Sequence, residues 1–195
     1  HAAIAAMVNC IEDYVGDIVA KLDVVGIAED TLIIFTSDNG PHSEAGHNPE
    51  YFNSNGPFKG KKRDLYEGGI RVPMIATWPG TIAAGSTSEH VSAFWDVCPT
   101  LAEISGQPIP ENIDGLSFLP TLLDKGEQAA HDYLYWEFHE KKGRQAIRKG
   151  NWKGVRYNVS ISPDPPIELY DLSADLGEAK NLAEQYPEIA AELSN

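Results

Sequence analysis

Asp38 and Asn39 are adjacent and offer side-chain oxygens of the hard type that Ca²⁺ and Mg²⁺ take as ligands. They follow Thr31-Leu32-Ile33-Ile34-Phe35-Thr36, a run apolar and β-branched enough to form a strand covered on both faces. The end of such a strand is where open α/β sheets place their ligands. Ser37-Asp38-Asn39-Gly40 taken alone is equally an ordinary turn, because Asn-Gly is a common turn pair. His42 and His47 lie just downstream, and His139 lies far along the chain. A histidine beside a bound anion can donate a hydrogen bond or a proton. No histidine or cysteine spacing of the zinc kind occurs.

The segment Gly60-Lys61-Lys62-Arg63-Asp64-Leu65-Tyr66-Glu67-Gly68-Gly69-Ile70-Arg71-Val72-Pro73 is the most specific in the chain. Its cations could neutralise the non-bridging oxygens of an ester, and paired glycines permit close backbone approach or positive φ. It belongs to an uneven charge pattern. The net charge is -14, which disfavours nucleic acid over most of the surface. Yet five of the 15 Lys and Arg residues fall between Lys59 and Arg71, and seven between Lys141 and Arg156, where there is no acid. Two cationic islands on an acidic chain suggest an anionic ligand gripped locally.

The elements around these residues can be read from periodicity. Ile4, Met7, Val8, Ile11, Val15, Ile18, Val19 and Leu22 define one amphipathic helix ending near Gly26, expected to pack on a sheet. A long aperiodic stretch runs from Asp38 to about Leu65, a length that is uncommon unless functional or disordered. Strands are expected over 71–78 and around His90 to Phe94, then a helix capped by Asp96 and running to Ile104. Gly106 to Gly115 reads as a boundary between residues 1–110 and 111–195. Beyond it come a short helix over 117–123, strands over 133–138, 145–148, 152–157 and 167–170, and a closing helix from Pro187 to Leu193. Lys149-Gly150-Asn151 suits a hairpin turn. No apolar run reaches the roughly 20 residues that span a bilayer. Cys10 and Cys98 are expected to be buried thiols.

Together, Ser37-Asp38-Asn39-Gly40-Pro41-His42, Ser54-Asn55-Gly56-Pro57, the run from Lys62 to Pro73 with Tyr66-Glu67-Gly68-Gly69, and Pro99-Thr100-Leu101 resemble a type I sulfatase. That is the arylsulfatase branch of the alkaline phosphatase superfamily. Trp136-Glu137-Phe138-His139, Arg148-Lys149-Gly150-Asn151-Trp152-Lys153, and Glu168-Leu169-Tyr170-Asp171-Leu172 followed by Asn181-Leu182 extend the resemblance over essentially the whole chain.

The resemblance implies an α/β fold: the C-terminal part of an alkaline-phosphatase-like α/β sandwich, then a small antiparallel sheet plus helix subdomain. It implies that Asp38 and Asn39 ligate an active-site calcium and that Lys62 contacts the sulfate as a catalytic cation. It implies that His42, His47, His139 and Arg148 line the substrate mouth, and that the substrate is a sulfate ester; the cationic tail points to a carbohydrate sulfate rather than a small aryl sulfate. A periplasmic or secreted location and no nucleic-acid partner go with it.

The departures matter as much. The family nucleophile is a formylglycine made from Cys-x-Pro/Ala-x-Arg, and neither Cys10-Ile-Glu-Asp-Tyr nor Cys98-Pro-Thr-Leu-Ala fits. The nucleophile and the other calcium ligands are therefore expected from an N-terminal half lying before His1, without which the chain would be inactive. A phosphodiesterase or phosphonate hydrolase of the same superfamily, and a non-catalytic anion- or glycan-binding module, are the rival readings.

Overall fold

The structure is a computed structural model that describes residues 2–194. Helix α1 (Ala2–Val25) follows the apolar periodicity. It ends as the sequence suggests: Gly26 adopts φ +74°, its N–H donates to the Asp23 carbonyl, and the Ile27 N–H donates to that of Leu22. Those two bonds are a Schellman cap, which a glycine accommodates without Cβ strain. No residue of α1 is buried, so its apolar face packs on no sheet among the described residues.

Strand β1 (Ile33–Thr36) pairs with β2 (Met74–Thr77) in a two-stranded sheet. The expectation of a strand covered on both faces is not met. Ile33 and Ile34 are half-buried and Phe35 is 41% exposed, because no further strand or buried helix face lies over them among the described residues. The expected strand around His90 to Phe94 is replaced by a 3-10 turn at Phe94–Asp96 that leads directly into α3 (Val97–Ile104). A short helix α4 (Leu119–Leu123) follows.

The chain gathers into two compact units. One comprises Thr36–Pro73 and the residues from Asp132 onward, with the first residues of α1; the other comprises Ala5–Phe35 and Met74–His131. The second unit is knitted by polar groups around Asp96. This residue does not cap α3 with its side chain. It is already helical at φ -79°, ψ -16°, and its carboxylate turns back to accept the Ala93 N–H at 2.7 Å and outward to the Leu116 N–H and the His131 ring, both at 2.8 Å. The Thr100 hydroxyl donates to the Asp96 carbonyl and accepts the Phe118 N–H. Cys10 and Cys98 are exposed rather than buried, since they lie on faces of α1 and α3 that nothing covers among the described residues.

The first unit is built on an antiparallel meander, β3 (Leu134–Phe138), β4 (Arg144–Lys149), β5 (Trp152–Tyr157) and β6 (Ile167–Asp171). Gly150, at φ +58°, turns β4 into β5. Alternation gives this sheet two working faces. One, with Leu169 and Trp152, packs on Ala190 and Leu193 at helix α5 (Pro187–Glu192). The other, with Ala146, Val155 and Tyr170, packs on Leu65, Tyr66 and Ile70. The second face therefore supports the loop that bears Lys62.

Candidate active-site loop

Two stretches of chain with no sheet pairing are stitched together by backbone hydrogen bonds. The Gly40 N–H donates to the Gly69 carbonyl at 2.9 Å, the Lys62 N–H to that of Pro41 at 2.9 Å, and the Gly68 N–H to that of Lys59 at 2.7 Å. The glycines are needed for close approach rather than for positive φ. A Cβ on Gly40 would stand 1.8 Å from the Gly68 carbonyl oxygen, and one on Gly69 would stand 2.0 Å from that of Asp64. The loop after β1 thus meets the short helix α2 (Glu67–Ile70) backbone to backbone.

Asp38 is exposed and Asn39 half-buried, and neither side chain makes a hydrogen bond or ion pair among the described residues. Their oxygens are open to a cation. Among the described residues no group of three or more His, Cys, Asp or Glu could hold a metal together. The hard-oxygen chemistry of the pair fits calcium, while two donors alone are too few for the about six to eight oxygens it takes.

The cations sort sharply. Lys59 lies 3.8 Å from the Tyr66 ring centroid and 3.9 Å from Glu168; Arg63 pairs with Glu44; Arg71 lies 3.7 Å from Glu67. Two cations of this stretch have no ion-pair partner among the described residues, the exposed Lys61 and the half-buried Lys62. The Lys62 charge, behind that of Arg63, helps hold the Glu44 carboxyl below its usual range. The second cationic island is mostly neutralised. Arg144 pairs with Asp64 at 2.7 Å, Arg148 stands 4.0 Å from Glu67, Lys149 pairs with Glu192, and Lys153 pairs with Glu67 and Glu178. It is not the open anion grip that its lack of acids suggested, because the sheet register aims several of its cations at acids far along the chain.

Three carboxylates and two phenols shape the supporting layer. Lys153 is fully buried, with Nζ 2.8 Å from Glu67 Oε1 and 3.0 Å from Glu178 Oε1. Burial pushes the Glu178 carboxyl upward, against the pull of Lys153. Beside them Tyr66 and Tyr170 both donate to Glu168 Oε2 at 2.6 Å. Burial first, and then that carboxylate, raise both phenols well above their ordinary range.

The expected site residues fall into three groups. Asp38, Asn39 and Lys62 share the stitched loop pair. His42 and His47 lie beyond it with ring centroids 5.1 Å apart; the His42 Nδ1 accepts the Glu44 N–H, and the buried His47 Nδ1 has no hydrogen-bond partner among the described residues. Arg148 is turned to Glu67 and to the Gly150 carbonyl, and the strongly exposed His139 lies 3.6 Å from Glu137. Sequence reasoning missed Lys153 and Glu178. Lys153 shares its strand face with Val155, and that alternation was the available signal.

Comparison with known proteins gives the family. The family model for Sulfatase matches residues 1–107, and that for N-sulphoglucosamine sulphohydrolase, C-terminal, matches residues 58–195. The chain is 35% identical over 171 residues to steryl-sulfatase of Rattus norvegicus, covering 84% of this chain and 30% of that protein. It is 33% identical to N-acetylgalactosamine-6-O-sulfatase of Bacteroides thetaiotaomicron, covering 92% and 38%. Among solved structures, Ps i-CgsB in complex with k-i-k-neocarrahexaose superposes with a TM-score of 0.81 at 29% identity, over 96% of this chain and 40% of that one. Phosphonate monoester hydrolase of Agrobacterium radiobacter superposes with 0.67 at 26% identity, over 91% and 36%. The chain spans about a third of the length of the curated relatives it matches. With both family models matching more than half of its residues, and with an alkaline-phosphatase-like fold closed by a small sheet and helix, this chain belongs to the type I sulfatase family.

Proposed function

We propose that the protein bearing this sequence is a calcium-dependent sulfuric ester hydrolase acting on a sulfated carbohydrate. The observation that carries the reading is Lys62, a half-buried ammonium without an ion-pair partner among the described residues, whose amide is fixed on the Pro41 carbonyl, two residues after Asn39 in the loop that bears Asp38. Asp38 and Asn39 would hold the cation together with further ligands, since the pair alone supplies too few oxygens. When bound, calcium supplies a positive centre for the sulfuryl oxygens. Lys62 places a second positive charge where negative charge grows in the transition state, an interaction commonly worth about 10²–10³ in turnover for a preorganised site. The formylglycine nucleophile is not among these residues, as neither cysteine stands in its motif.

Support for a carbohydrate comes from relatives. One acts on N-acetylgalactosamine 6-sulfate by its name, and the structure of BT4656, 28% identical with a TM-score of 0.76, contains its substrate D-glucosamine-2-N,6-O-disulfate. The likeness to a phosphonate monoester hydrolase favours a second reading. The test is to compare initial rates of the full-length enzyme on matched sulfate, phosphonate and phosphate esters, with and without a calcium chelator. Fastest turnover of the sulfate ester, lost on chelation and restored by calcium, supports the proposal. Preference for the phosphonate ester replaces it with the second reading, and tight binding of sulfated saccharide with no turnover makes the protein a binding module.

A further inference from the structure

The group Glu67–Lys153–Glu178 is the most deeply buried charge cluster among the described residues, and no step of the proposed chemistry uses it. Lys153 and Glu178 are fully buried and Glu67 is 3% exposed. Withdrawing such ions from water is costly, and well-packed apolar side chains of similar volume commonly do as well or better for stability. Stability is therefore a poor explanation for the cluster, and its geometry offers a better one.

Each member fixes a different part of the loop assembly. Lys153 sits in the middle of β5, paired across to Arg148 on one side and Tyr170 on the other, so its Cα is held by the sheet. Its ammonium bridges Glu67 Oε1 and Glu178 Oε1. Glu178 Oε2 in turn accepts the Glu67 backbone N–H at 2.6 Å, the first N–H of α2 and one that has no helical partner. Glu178 holds φ +49°, a left-handed conformation that its side chain disfavours, and the turn around it is pinned by Asp175 Oδ2, which accepts the N–H groups of Ala179 and Lys180. Glu67 is thus gripped by side chain and backbone together. Immediately after it come Gly68, whose N–H bonds Lys59, and Gly69, whose carbonyl receives Gly40. The chain of restraint runs from the sheet through Glu67 to both the Asp38–Asn39 loop and the Lys62 loop.

We infer that Lys153 and Glu178 are positioning residues, which register the metal-ligand loop and the Lys62 loop against each other from the C-terminal sheet. The inference rests on the sulfatase reading of that loop pair. Misplacement of a reacting group by about 1 Å can cost roughly 10²-fold in rate, so small slippage at Glu67 suffices to be felt.

The experiment uses the full-length enzyme with Lys153→Met, Glu178→Gln and the conservative Lys153→Arg, followed by hydrogen exchange and steady-state kinetics well below each variant's melting temperature. Lys153→Met and Glu178→Gln are expected to raise amide exchange at Gly40 and Gly68 at least tenfold while the β5 amides stay protected. They are expected to lower kcat about 10-fold or more with KM changed less than about threefold, and Lys153→Arg is expected to recover part of the loss. Unchanged exchange at Gly40 and Gly68, or a fall in activity that only tracks the folded fraction, overturns the inference. Faster exchange with unchanged turnover instead overturns the placement of Lys62 in the site. Should Lys153→Met not fold, Glu178→Gln decides, since it keeps the Lys153–Glu67 pair and an oxygen for the Glu67 N–H; failure of both to fold makes the cluster a stability element and also overturns the inference.

Discussion

Asp38, Asn39 and Lys62 were legible as candidates because each lies in a short local motif whose residue types suit one chemistry. Lys153 and Glu178 were not, because a lysine in a polar-looking strand and a glutamate in a turn gain their meaning only from partners 86 and 111 residues away. Gly68 and Gly69 were read correctly as permissive, and the structure selects close approach over positive φ. Gly69→Ala should destabilise the fold by about 1–3 kcal/mol, the usual scale of overpacking, because the new Cβ would press on backbone rather than on a side chain that could move. Urea unfolding of the variant against wild type measures this, and an unchanged midpoint would show that Gly69 does not pack against the Asp64 carbonyl. The cysteines make a residue-scale prediction too. Both are exposed, so Cys10 and Cys98 should react with a thiol reagent in the folded chain, whereas buried thiols would react only on unfolding.

Among the elements, the hairpin strands were the most legible, since alternation and a glycine turn specify them locally; β5 matches its expected range residue for residue. Helix α1 was equally clear in extent, but what covers it was not, because periodicity reveals a face and not its partner. The β3–β6 sheet and the α2 segment packed on it carry a pH signature through their phenols. Tyr66 and Tyr170 are raised above the ordinary phenol range and Tyr157 is pushed up to about 12, mainly by burial. Folded values above the unfolded value of about 10 mean that the neutral phenols contribute stability in full below that pH. That contribution is lost as pH rises from about 10 through the folded values. The expected outcome is a steep loss of stability above about pH 10, with part of the phenolate absorbance appearing only as the chain unfolds. Free titration of all eight tyrosines in the folded state would contradict it.

At the scale of the molecule, the family was legible from the order of many short motifs, each weak alone. Much of the apolar surface was not. Met7, Val8, Ile11 and Ile18 are 48–58% exposed on α1, and Ile75 on β2 is 62% exposed. A polypeptide of residues 1–195 alone is therefore expected to self-associate and to bind a hydrophobic dye; a sharp cooperative melt of a monodisperse sample would contradict that. No helix among the described residues is long and apolar enough to cross a membrane, so this surface is not that of a spanning helix. The central claim, that the stitched loops hold a sulfate ester against a calcium ion, is met most directly at Lys62. In the full-length enzyme, kcat for a sulfate ester should fall about 10²-fold or more in Lys62→Ala at saturating calcium and unchanged folded fraction. Turnover within a few-fold of wild type would remove Lys62, and with it this loop, from the active site.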